Sequence, residues 1–229
     1  MQRAIVIMFI AMSLIPAGDS AGKIMTSQLG VAPVFVAWSR FAFGTFLLLP
    51  FVPPDTLRLF RNWRIWLRAA MLCGGITSIQ TALQTEEVAN VFAAFFIGPL
   101  LSYTLAAIFL REPITLARSV LIVAGFAGVL LVVQPGYGVS IGLLWALAAG
   151  TVYGIFLTMS RWLSHLAPPL SLSFSQLLIS GLLLLPWGLL HLPDLTGPIA
   201  SLTVVSAACS MVGNLLMLYT YRLVPATKV

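Results

Sequence analysis

Apolar residues dominate the chain in long runs, and short polar or proline-containing breaks separate these runs. The hydrocarbon core of a bilayer is about 30 Å thick, so a helix that rises about 1.5 Å per residue needs about 20 apolar residues to cross it. The runs have roughly this length. The pattern therefore predicts eight membrane-spanning helices, at residues 4–22, 34–51, 69–85, 89–110, 116–133, 141–163, 170–190 and 199–223.

The composition favours a membrane protein over a soluble one. Of the 229 residues, 60% are hydrophobic and 8% are charged, and the mean hydropathy is +1.04. Soluble domains carry about 25% charged residues, so this chain lacks the side chains needed to cover a solvated surface. The net charge of +6 could indicate nucleic-acid binding, but in so apolar a chain we attribute it to cytoplasmic loops and expect no nucleic-acid partner. Cys73 and Cys209 lie in apolar runs, which predicts neither a disulfide framework nor a metal site.

The basic residues indicate which ends of the predicted helices face the cytoplasm. If the chain alternates at every span, one side carries Arg3, Arg58, Arg61, Arg64, Arg68, Arg111, Arg118, Arg161, Arg222 and Lys228. The opposite side has Lys23 with the acids Glu86, Glu87 and Asp194. Because loops rich in Lys and Arg stay in the cytoplasm, the pattern predicts a multi-pass membrane protein with a cytoplasmic N-terminus. A cleaved signal peptide is the alternative interpretation of the first run, and the repeat described next argues against it.

The sequence resembles itself at an offset of 136 residues across the first three predicted spans. In this register Gly18 matches Gly154, Pro33 matches Pro169, Ser39 matches Ser175, Pro50 matches Pro186 and Cys73 matches Cys209. The common register predicts two repeats, residues 1–136 and 137–229. Five helices per repeat is an odd number, so the second repeat would be inverted in the membrane, as in many secondary transporters. We therefore expect an all-α integral membrane protein built as an inverted repeat of five-helix units, with about eight of ten helices and a second repeat truncated after its third helix. A complete eight-helix protein is the alternative.

Several short motifs are distributed over most of the chain. They are more informative about the fold than about the substrate. They are residues 18–23, Trp38-Ser39-Arg40-Phe41, Leu47-Leu48-Leu49-Pro50, Pro99, Leu110-Arg111-Glu112-Pro113-Ile114-Thr115, and residues 125–128 followed by Gln134-Pro135-Gly136. With these motifs the chain resembles the EamA-type members of the drug/metabolite transporter superfamily. The resemblance implies ten helices in two inverted five-helix halves, a central cavity, and transport of small organic metabolites.

Two charged residues, Asp19 and Arg40, lie inside predicted spans. A charge at the centre of a membrane helix costs about 2.5–3.5 kcal/mol on insertion scales, so such residues suggest a function. Arg40 lies about 9 Å from the outer end of its span and Asp19 about one turn from the end of its own, so the two could pair. Lys23 lies one turn past Asp19 and competes for it. The functional interpretation is a gate or a counter-charge for a zwitterionic substrate, and the alternative is a structural pair near the interface.

Prolines and glycines predict interruptions in two spans, at Pro16 and Gly18 in the first and at Gly98 and Pro99 in the fourth. A proline lacks the N–H group that would bond to the carbonyl four residues earlier. Interrupted helices in transporters often line the substrate site, where their free backbone groups face the cavity. A kink that serves packing alone is the alternative.

Uncharged polar and aromatic residues inside the spans form a candidate cavity lining. They are Gln80, Gln84, Tyr103, Trp145, Tyr153, Gln176 and Asn214. Polar groups in lipid need partners, so we expect these residues to face the bundle interior. Gln80 and Gln84 are four residues apart and should share a helix face. The aromatic residues would give the cavity a wall that tolerates cations, whereas hydrogen bonding between helices is the alternative role of each polar residue.

The motifs of a membrane enzyme or of an ATP-driven pump are missing from the sequence. His165 and His191 lie at predicted helix ends, and there is neither a Gly-x-Ser-x-Gly nor a His-Glu-x-x-His motif, nor a glycine-rich phosphate loop. With this resemblance we expect a secondary transporter of a bacterial inner membrane. It would move a small organic metabolite, amino acid-like or amphipathic and cationic, by alternating access and without a cofactor or metal. The expected partners are this substrate and membrane lipid, and a homodimer is left open. A truncated or non-transporting membrane subunit is the alternative function.

Overall fold

The computed structural model describes residues 2–133 and 140–223, which form helices and contain no β-strand. The α-helices are α1 (Gln2–Ser27), α2 (Pro33–Leu48), α3 (Trp63–Thr85), α4 (Val88–Phe95), α5 (Ile97–Phe109), α6 (Leu116–Val133), α7 (Ile141–Trp162), α8 (Pro169–Leu190) and α9 (Gly197–Leu223). Two 3₁₀ segments, Leu49–Phe51 and Pro54–Arg61, connect α2 to α3. The predicted all-α architecture is confirmed.

The predicted spans correspond to these helices, with α4 and α5 together forming the fourth. Five segments are long and apolar enough to cross a bilayer: Pro33–Phe51, Val88–Phe109, Ile141–Trp162, Pro169–Leu190 and Gly197–Leu216. The helices α1, α3 and α6 have 26, 23 and 18 residues, so they also have the length of a span. The described part of the chain is therefore a bundle of membrane-length helices.

Local sequence signals account for several of the helix starts. Pro33 and Pro169 occupy the first turns of α2 and α8, where a missing N–H group leaves no helical hydrogen bond unmade. The Asn62 side chain accepts a hydrogen bond from the Arg64 N–H group at the start of α3. The Ser140 hydroxyl likewise accepts from the Leu143 N–H group at the start of α7. Both side chains are N-caps that satisfy free donors at a helix start.

Of the two expected helix interruptions, one is present in the structure and the other is absent from the described helix α1. The fourth span divides at Phe96, which lies between α4 and α5, just before Gly98 and Pro99. In contrast, α1 runs without a break through Pro16 and Gly18, so the predicted interruption of the first span is wrong. A single proline removes one helical hydrogen bond, and neighbouring turns can carry the helix past it when packing holds both ends.

The helices of the two predicted repeats pack in matching pairs. The closest packing is between α1 and α9 and between α3 and α7, followed by α2 with α8. The offset of 136 residues relates α1 to α7, α2 to α8 and α3 to α9. If the two predicted repeats are exchanged, the α1–α9 contact becomes the α7–α3 contact, and the α2–α8 contact becomes itself. In the same way, the contact of α2 with α9 becomes the contact of α8 with α3, and both contacts are present. The interface between the predicted halves therefore has an approximate two-fold arrangement.

The centre of this interface is apolar. Phe41 and Ala37 of α2, Leu72 and Cys73 of α3, Phe156 of α7 and Leu184 of α8 form one buried cluster. Polar side chains lie towards either end of the bundle from this cluster, and the candidate site occupies one of these ends.

Candidate functional site

Four polar side chains from four helices meet near the end of the bundle where α1 ends and α2 begins. They are Asp19 of α1, Arg40 of α2, Gln80 of α3 and Ser206 of α9. Their relative exposures are 4%, 7%, 0% and 0%, so the cluster is almost completely shielded from the surroundings. The first three helices belong to the first predicted repeat and α9 to the second, so the cluster connects both halves.

The Arg40 guanidinium organises this cluster through three nitrogens. Its Nη1 donates to Asp19 Oδ1 at 2.5 Å, and its Nη2 donates to the Gly18 carbonyl oxygen at 2.6 Å. Its Nε donates to Ser206 Oγ at 2.9 Å, and the Ser206 hydroxyl in turn donates to the Gly18 carbonyl oxygen at 2.9 Å. A single side chain of α2 therefore holds α1 and α9 together.

Gln80 completes the cluster and leaves one group without a partner. Its Nε2 donates to Asp19 Oδ1 at 3.1 Å, whereas its buried Oε1 accepts no hydrogen bond from the described residues. A Cβ atom at position 22 would lie 2.5 Å from Gln80 Oε1 and 3.1 Å from Arg40 Nη2. The missing side chain at Gly22 therefore allows α3 to approach α1 at this point.

The ion pair explains how two charges can be buried in the cluster. The guanidinium and the carboxylate offset each other's charge, and Arg40 makes two further hydrogen bonds, to Gly18 and Ser206. Lys23 does not compete for Asp19, because its Nζ donates to the backbone carbonyl oxygen of Glu86. Each of these polar contacts within the cluster joins two different helices.

The other predicted cavity residues are not brought together with this cluster. Tyr103 Oη lies 3.0 Å from Ser119 Oγ of α6, and the Tyr153 ring packs 5.0 Å from Phe95 and 5.6 Å from Phe156, centroid to centroid. Of the remaining four predicted residues, Gln84, Trp145 and Asn214 are exposed on the bundle, and Gln176 is half-buried on α8. The structure therefore places the predicted lining residues in separate environments.

A groove of about 470 Å³ lies between α5 and α7, away from the cluster. Leu105, Phe109, Leu110, Ile155, Thr158, Met159 and Trp162 line it. None of the predicted cavity residues lies in this groove. Gly98, at the predicted break, instead serves close packing, because a Cβ atom there would lie 2.7 Å from the Gly150 carbonyl oxygen. Pro99 is half-buried in the first turn of α5.

Two residues that the sequence does not mark as site residues lie in polar clusters. Ser206 gives no sequence signal, because serine is common in membrane helices as a packing residue. Arg68 belongs by sequence to the group of loop arginines, yet it is only 6% exposed. Its Nε donates to Ser160 Oγ at 2.9 Å and its Nη1 to the Leu172 carbonyl oxygen at 3.0 Å. Spacing inside α3 could have found it, since Arg68 lies a full turn deeper than Arg64.

The sequence profile of the EamA-like transporter family matches residues 2–134 and 140–229. The chain belongs to the EamA-like transporter family. The predicted resemblance is thereby confirmed, and this EamA protein is a member of a family of membrane transporters and not of an enzyme family. Together with the apolar helices, this identifies a multi-pass membrane protein.

Relatives of this EamA protein include transporters of two kinds. It is 34% identical to an S-adenosylmethionine uptake transporter of Rickettsia bellii (strain RML369-C) over 122 residues, which cover 51% of this chain and 42% of the relative. It is 24% identical to a riboflavin transporter of Brucella anthropi over 157 residues, which cover 67% of this chain and 55% of the relative. The chain thus spans about half the length of the curated relatives it matches.

The fold of this EamA protein is also found among solved structures. One crystal structure superimposes with a TM-score of 0.67 over 96% of this chain and 84% of its own, at 18% sequence identity. At this identity the likeness concerns the fold alone. It supports the arrangement of helices from which the buried cluster is built.

Proposed function

We propose that this protein is a secondary transporter that carries a small organic metabolite across a bacterial inner membrane by alternating access. The observation that carries the proposal is the buried cluster of Asp19, Arg40, Gln80 and Ser206, which connects four helices of both halves through bonds that can be broken. Such a cluster suits a gate, because its own contacts are hydrogen bonds and an ion pair, which can break and re-form.

Two inverted repeats, residues 1–136 and 137–229, form the moving parts in this proposal. The paired packing of α1 with α9 and of α3 with α7 supports it, because an inverted repeat requires contacts that exchange in this way. Alternating access follows when one repeat rocks against the other around the apolar centre formed by Phe41, Leu72 and Phe156.

The gate opens in this proposal when Ser206 of α9 releases Arg40 and the Gly18 carbonyl oxygen. These two bonds hold α9 to α2 and to α1. The bond to Asp19 can persist during the movement and keep the guanidinium neutralised, so opening does not require a bare buried charge. The unpaired Gln80 Oε1 offers an acceptor to a passing substrate.

The proposed substrates are amino acid-like zwitterions and amphipathic cations, two classes that combine a charge with an apolar body. The names of the relatives, transporters of S-adenosylmethionine and of riboflavin, support a small organic metabolite. A series of rings runs through the bundle from Phe92 to Phe95, Tyr153 and Phe156, with centroid distances of 6.3, 5.0 and 5.6 Å. Aromatic rings accept both flat apolar groups and cations on their faces.

The N-terminus faces the cytoplasm in this proposal. The connection between α2 and α3, the first turn of α3 and the end of α7 lie at the same end of the bundle as the start of α1. They carry the exposed Arg58, Arg61, Arg64 and Arg161. A cysteine replacing Arg61 should react with an impermeant maleimide only after cells are opened, whereas one replacing Leu29 should react in intact cells. The reverse pattern would invert the topology.

Transport is tested with the purified chain in proteoliposomes. Radiolabelled S-adenosylmethionine and riboflavin are offered separately, with and without proton and sodium gradients, and accumulation is compared with that in protein-free vesicles. We expect saturable uptake of one of these compounds, and stabilisation of the detergent-solubilised protein by the same compound. Absence of both uptake and ligand-dependent stabilisation would favour the non-transporting membrane subunit.

A further inference from the structure

The groove between α5 and α7 runs along the last turns of both helices to their ends. Its wall on α5 extends from Leu105 to Leu110, which directly follows the helix. Its wall on α7 extends from Ile155 to Trp162, the last residue of that helix. At the helical rise of 1.5 Å per residue, these walls are about 7.5 and 10.5 Å long. The groove therefore lies at one end of the bundle, where α5 and α7 both stop.

Thr158 does not give the walls of this groove a free polar group. Its hydroxyl donates to the Gly154 carbonyl oxygen at 3.0 Å and lies 3.4 Å from Ser102 Oγ, so it is occupied within the bundle. The other lining side chains are aliphatic, thioether or aromatic. A polar solute between these walls would lose its hydration for few new hydrogen bonds. The walls therefore suit a hydrocarbon chain better than a polar solute.

The groove ends at a cation that has free donors. The Arg64 guanidinium lies 4.6 Å from the centroid of the Trp162 ring, which lines the groove, and 5.8 Å from that of the Trp63 ring. Among the described residues, no carboxylate lies within 4.0 Å of Arg64, and neither its guanidinium nor the Trp162 indole N–H donates to an acceptor. Cation–π contacts hold a guanidinium while its five N–H groups stay available.

Two arginines of the same end differ from Arg64 because each has an acidic partner. Arg58 pairs with Asp55 at 3.5 Å, and Arg161, next to Trp162 in the sequence, pairs with Glu112 at 3.6 Å. An anion at the end of the groove would therefore meet Arg64 without displacing a carboxylate.

The order of these groups matches the order of groups in a phospholipid. A lipid presents its acyl chains to the sides of membrane helices and its phosphate near their ends. Along the groove, apolar walls are followed by an indole ring and then by a guanidinium. Indole rings favour the membrane interface, and a guanidinium binds phosphate through two parallel hydrogen bonds. Arg58, Arg61 and Arg64 are exposed beside the spans, and such basic segments attract lipids of negative net charge.

We propose that the groove between α5 and α7 binds one anionic glycerophospholipid. An acyl chain lies along Leu105, Ile155 and Met159, and the phosphate binds to the Arg64 guanidinium and the Trp162 indole N–H. The bound lipid fills the space between α5 and α7 and connects both helices to the start of α3. The proposal rests on the membrane setting of the chain and is independent of transport.

The test is lipid binding by the delipidated full chain in detergent, measured by native mass spectrometry. The probe is phosphatidylglycerol, compared with phosphatidylcholine that has the same acyl chains and with glycerol 1-phosphate, which has no chains. We expect one retained phosphatidylglycerol per chain. Its affinity should be about tenfold higher than that of phosphatidylcholine, whose choline cation offsets the phosphate charge, since hydrogen bonds between charged groups have this strength.

Two results with these probes would overturn the proposal. Equal retention of the two lipids would exclude selection of an anionic headgroup. Displacement of phosphatidylglycerol by equimolar glycerol 1-phosphate would indicate a site for a free phosphate compound instead of a lipid.

Two pairs of variants assign the headgroup and the acyl chain. Arg64→Gln should lower the affinity for phosphatidylglycerol about tenfold and remove the preference over phosphatidylcholine. Arg61→Gln, which removes the same charge from another exposed position, is its control and should retain both. Ile155→Trp should reduce retention of both lipids because it fills the groove, whereas Leu144→Trp, at an exposed position of the same helix, should not.

The variants also give results that would contradict the site. Equal effects of Arg64→Gln and Arg61→Gln would show a general attraction to the basic surface and overturn it. If Ile155→Trp does not fold, Leu105→Phe narrows the facing wall, and unchanged lipid retention by this variant would overturn an acyl chain in the groove. Retention of phosphatidylglycerol that depends on Arg64, in a protein that takes up no compound, would support the lipid site and contradict the transporter function. Uptake without a preference for phosphatidylglycerol would support transport and overturn this site.

Discussion

Arg68 and Gln80 both lie on α3, about 18 Å apart along the helix axis, and each belongs to a different polar cluster. Gln80 bonds to Asp19 at one end, and Arg68 bonds to Ser160 of α7 at the other. In the alternating access proposed above, α3 would link the two clusters, because a displacement of this helix at one cluster changes distances at the other.

Replacing Asp19 by Asn tests the ion pair. The substitution leaves the Arg40 guanidinium buried without its counter-charge, and removing one partner of a buried pair typically costs about 3–5 kcal/mol. We expect a large fall in the thermal unfolding midpoint in detergent and loss of uptake in proteoliposomes.

The double variant Asp19→Asn with Arg40→Gln distinguishes the effect of the two charges from the effect of side-chain shape. It removes both charges, so we expect it to recover much of the stability but not the transport. Unchanged uptake by Asp19→Asn alone would exclude a gating or coupling role for the carboxylate.

Gln80 and Gln84 form a matched pair for the second prediction. Gln80 is fully buried and donates to Asp19, whereas Gln84, one turn further along α3, is exposed. Gln80→Leu removes a hydrogen bond to a charged group, which typically contributes about 1.5–3 kcal/mol, so it should lower stability and uptake. Gln84→Leu should change neither. Equal effects of the two substitutions would contradict the assignment of Gln80 to the cluster.

The difference between Gln80 and Gln84 shows which features of the site can be predicted from the sequence and which depend on packing. The depths of Asp19 and Arg40 follow from helix rise alone, so their proximity could be predicted and the structure does pair them. Gln80 and Gln84 share a helix face by spacing, and only the packing of α3 against α1 decides which of them is buried. Ser206 could not be recognised, because its role depends on a carbonyl oxygen of another helix. The expected break at Pro16 failed for the same reason, since packing of α1 against α9 is a tertiary property.

Ser206→Ala tests the contribution of α9 to the cluster. The hydroxyl accepts from Arg40 Nε and donates to the Gly18 carbonyl oxygen, so its removal leaves a buried charged donor without an acceptor. We expect a loss of about 1–3 kcal/mol in the free energy of unfolding. Ser201→Ala is the control on the same helix, because Ser201 is exposed and bonds only to the Pro198 carbonyl oxygen. A thermal midpoint as high for Ser206→Ala as for Ser201→Ala would show that the closed cluster does not depend on this hydroxyl.

Gly150→Ala tests the packing that accompanies the break between α4 and α5. A Cβ atom at Gly150 would lie 2.7 Å from the Phe95 carbonyl oxygen, 3.0 Å from the Phe95 Cα and 2.8 Å from Ile97 Cγ2, so backbone would have to shift as well as a side chain. Overpacking of this kind costs about 1–3 kcal/mol. Because Phe95 packs against Tyr153, the shift should also disturb the ring series and weaken binding of aromatic substrates.

Gly74→Ala is the matched control for Gly150→Ala, since its nearest neighbour, Val152 Cγ1, would lie 3.7 Å from the added atom. Alanine favours a helix over glycine by about 0.5–1 kcal/mol, so this variant should be as stable as the wild-type protein or more stable. Thermal unfolding of both variants in the same detergent, with ligand binding measured in parallel, gives the comparison. If Gly150→Ala were stabilised as much as Gly74→Ala, then α7 would not be held against α4 by direct backbone contact, and the break at Phe96 would need another cause.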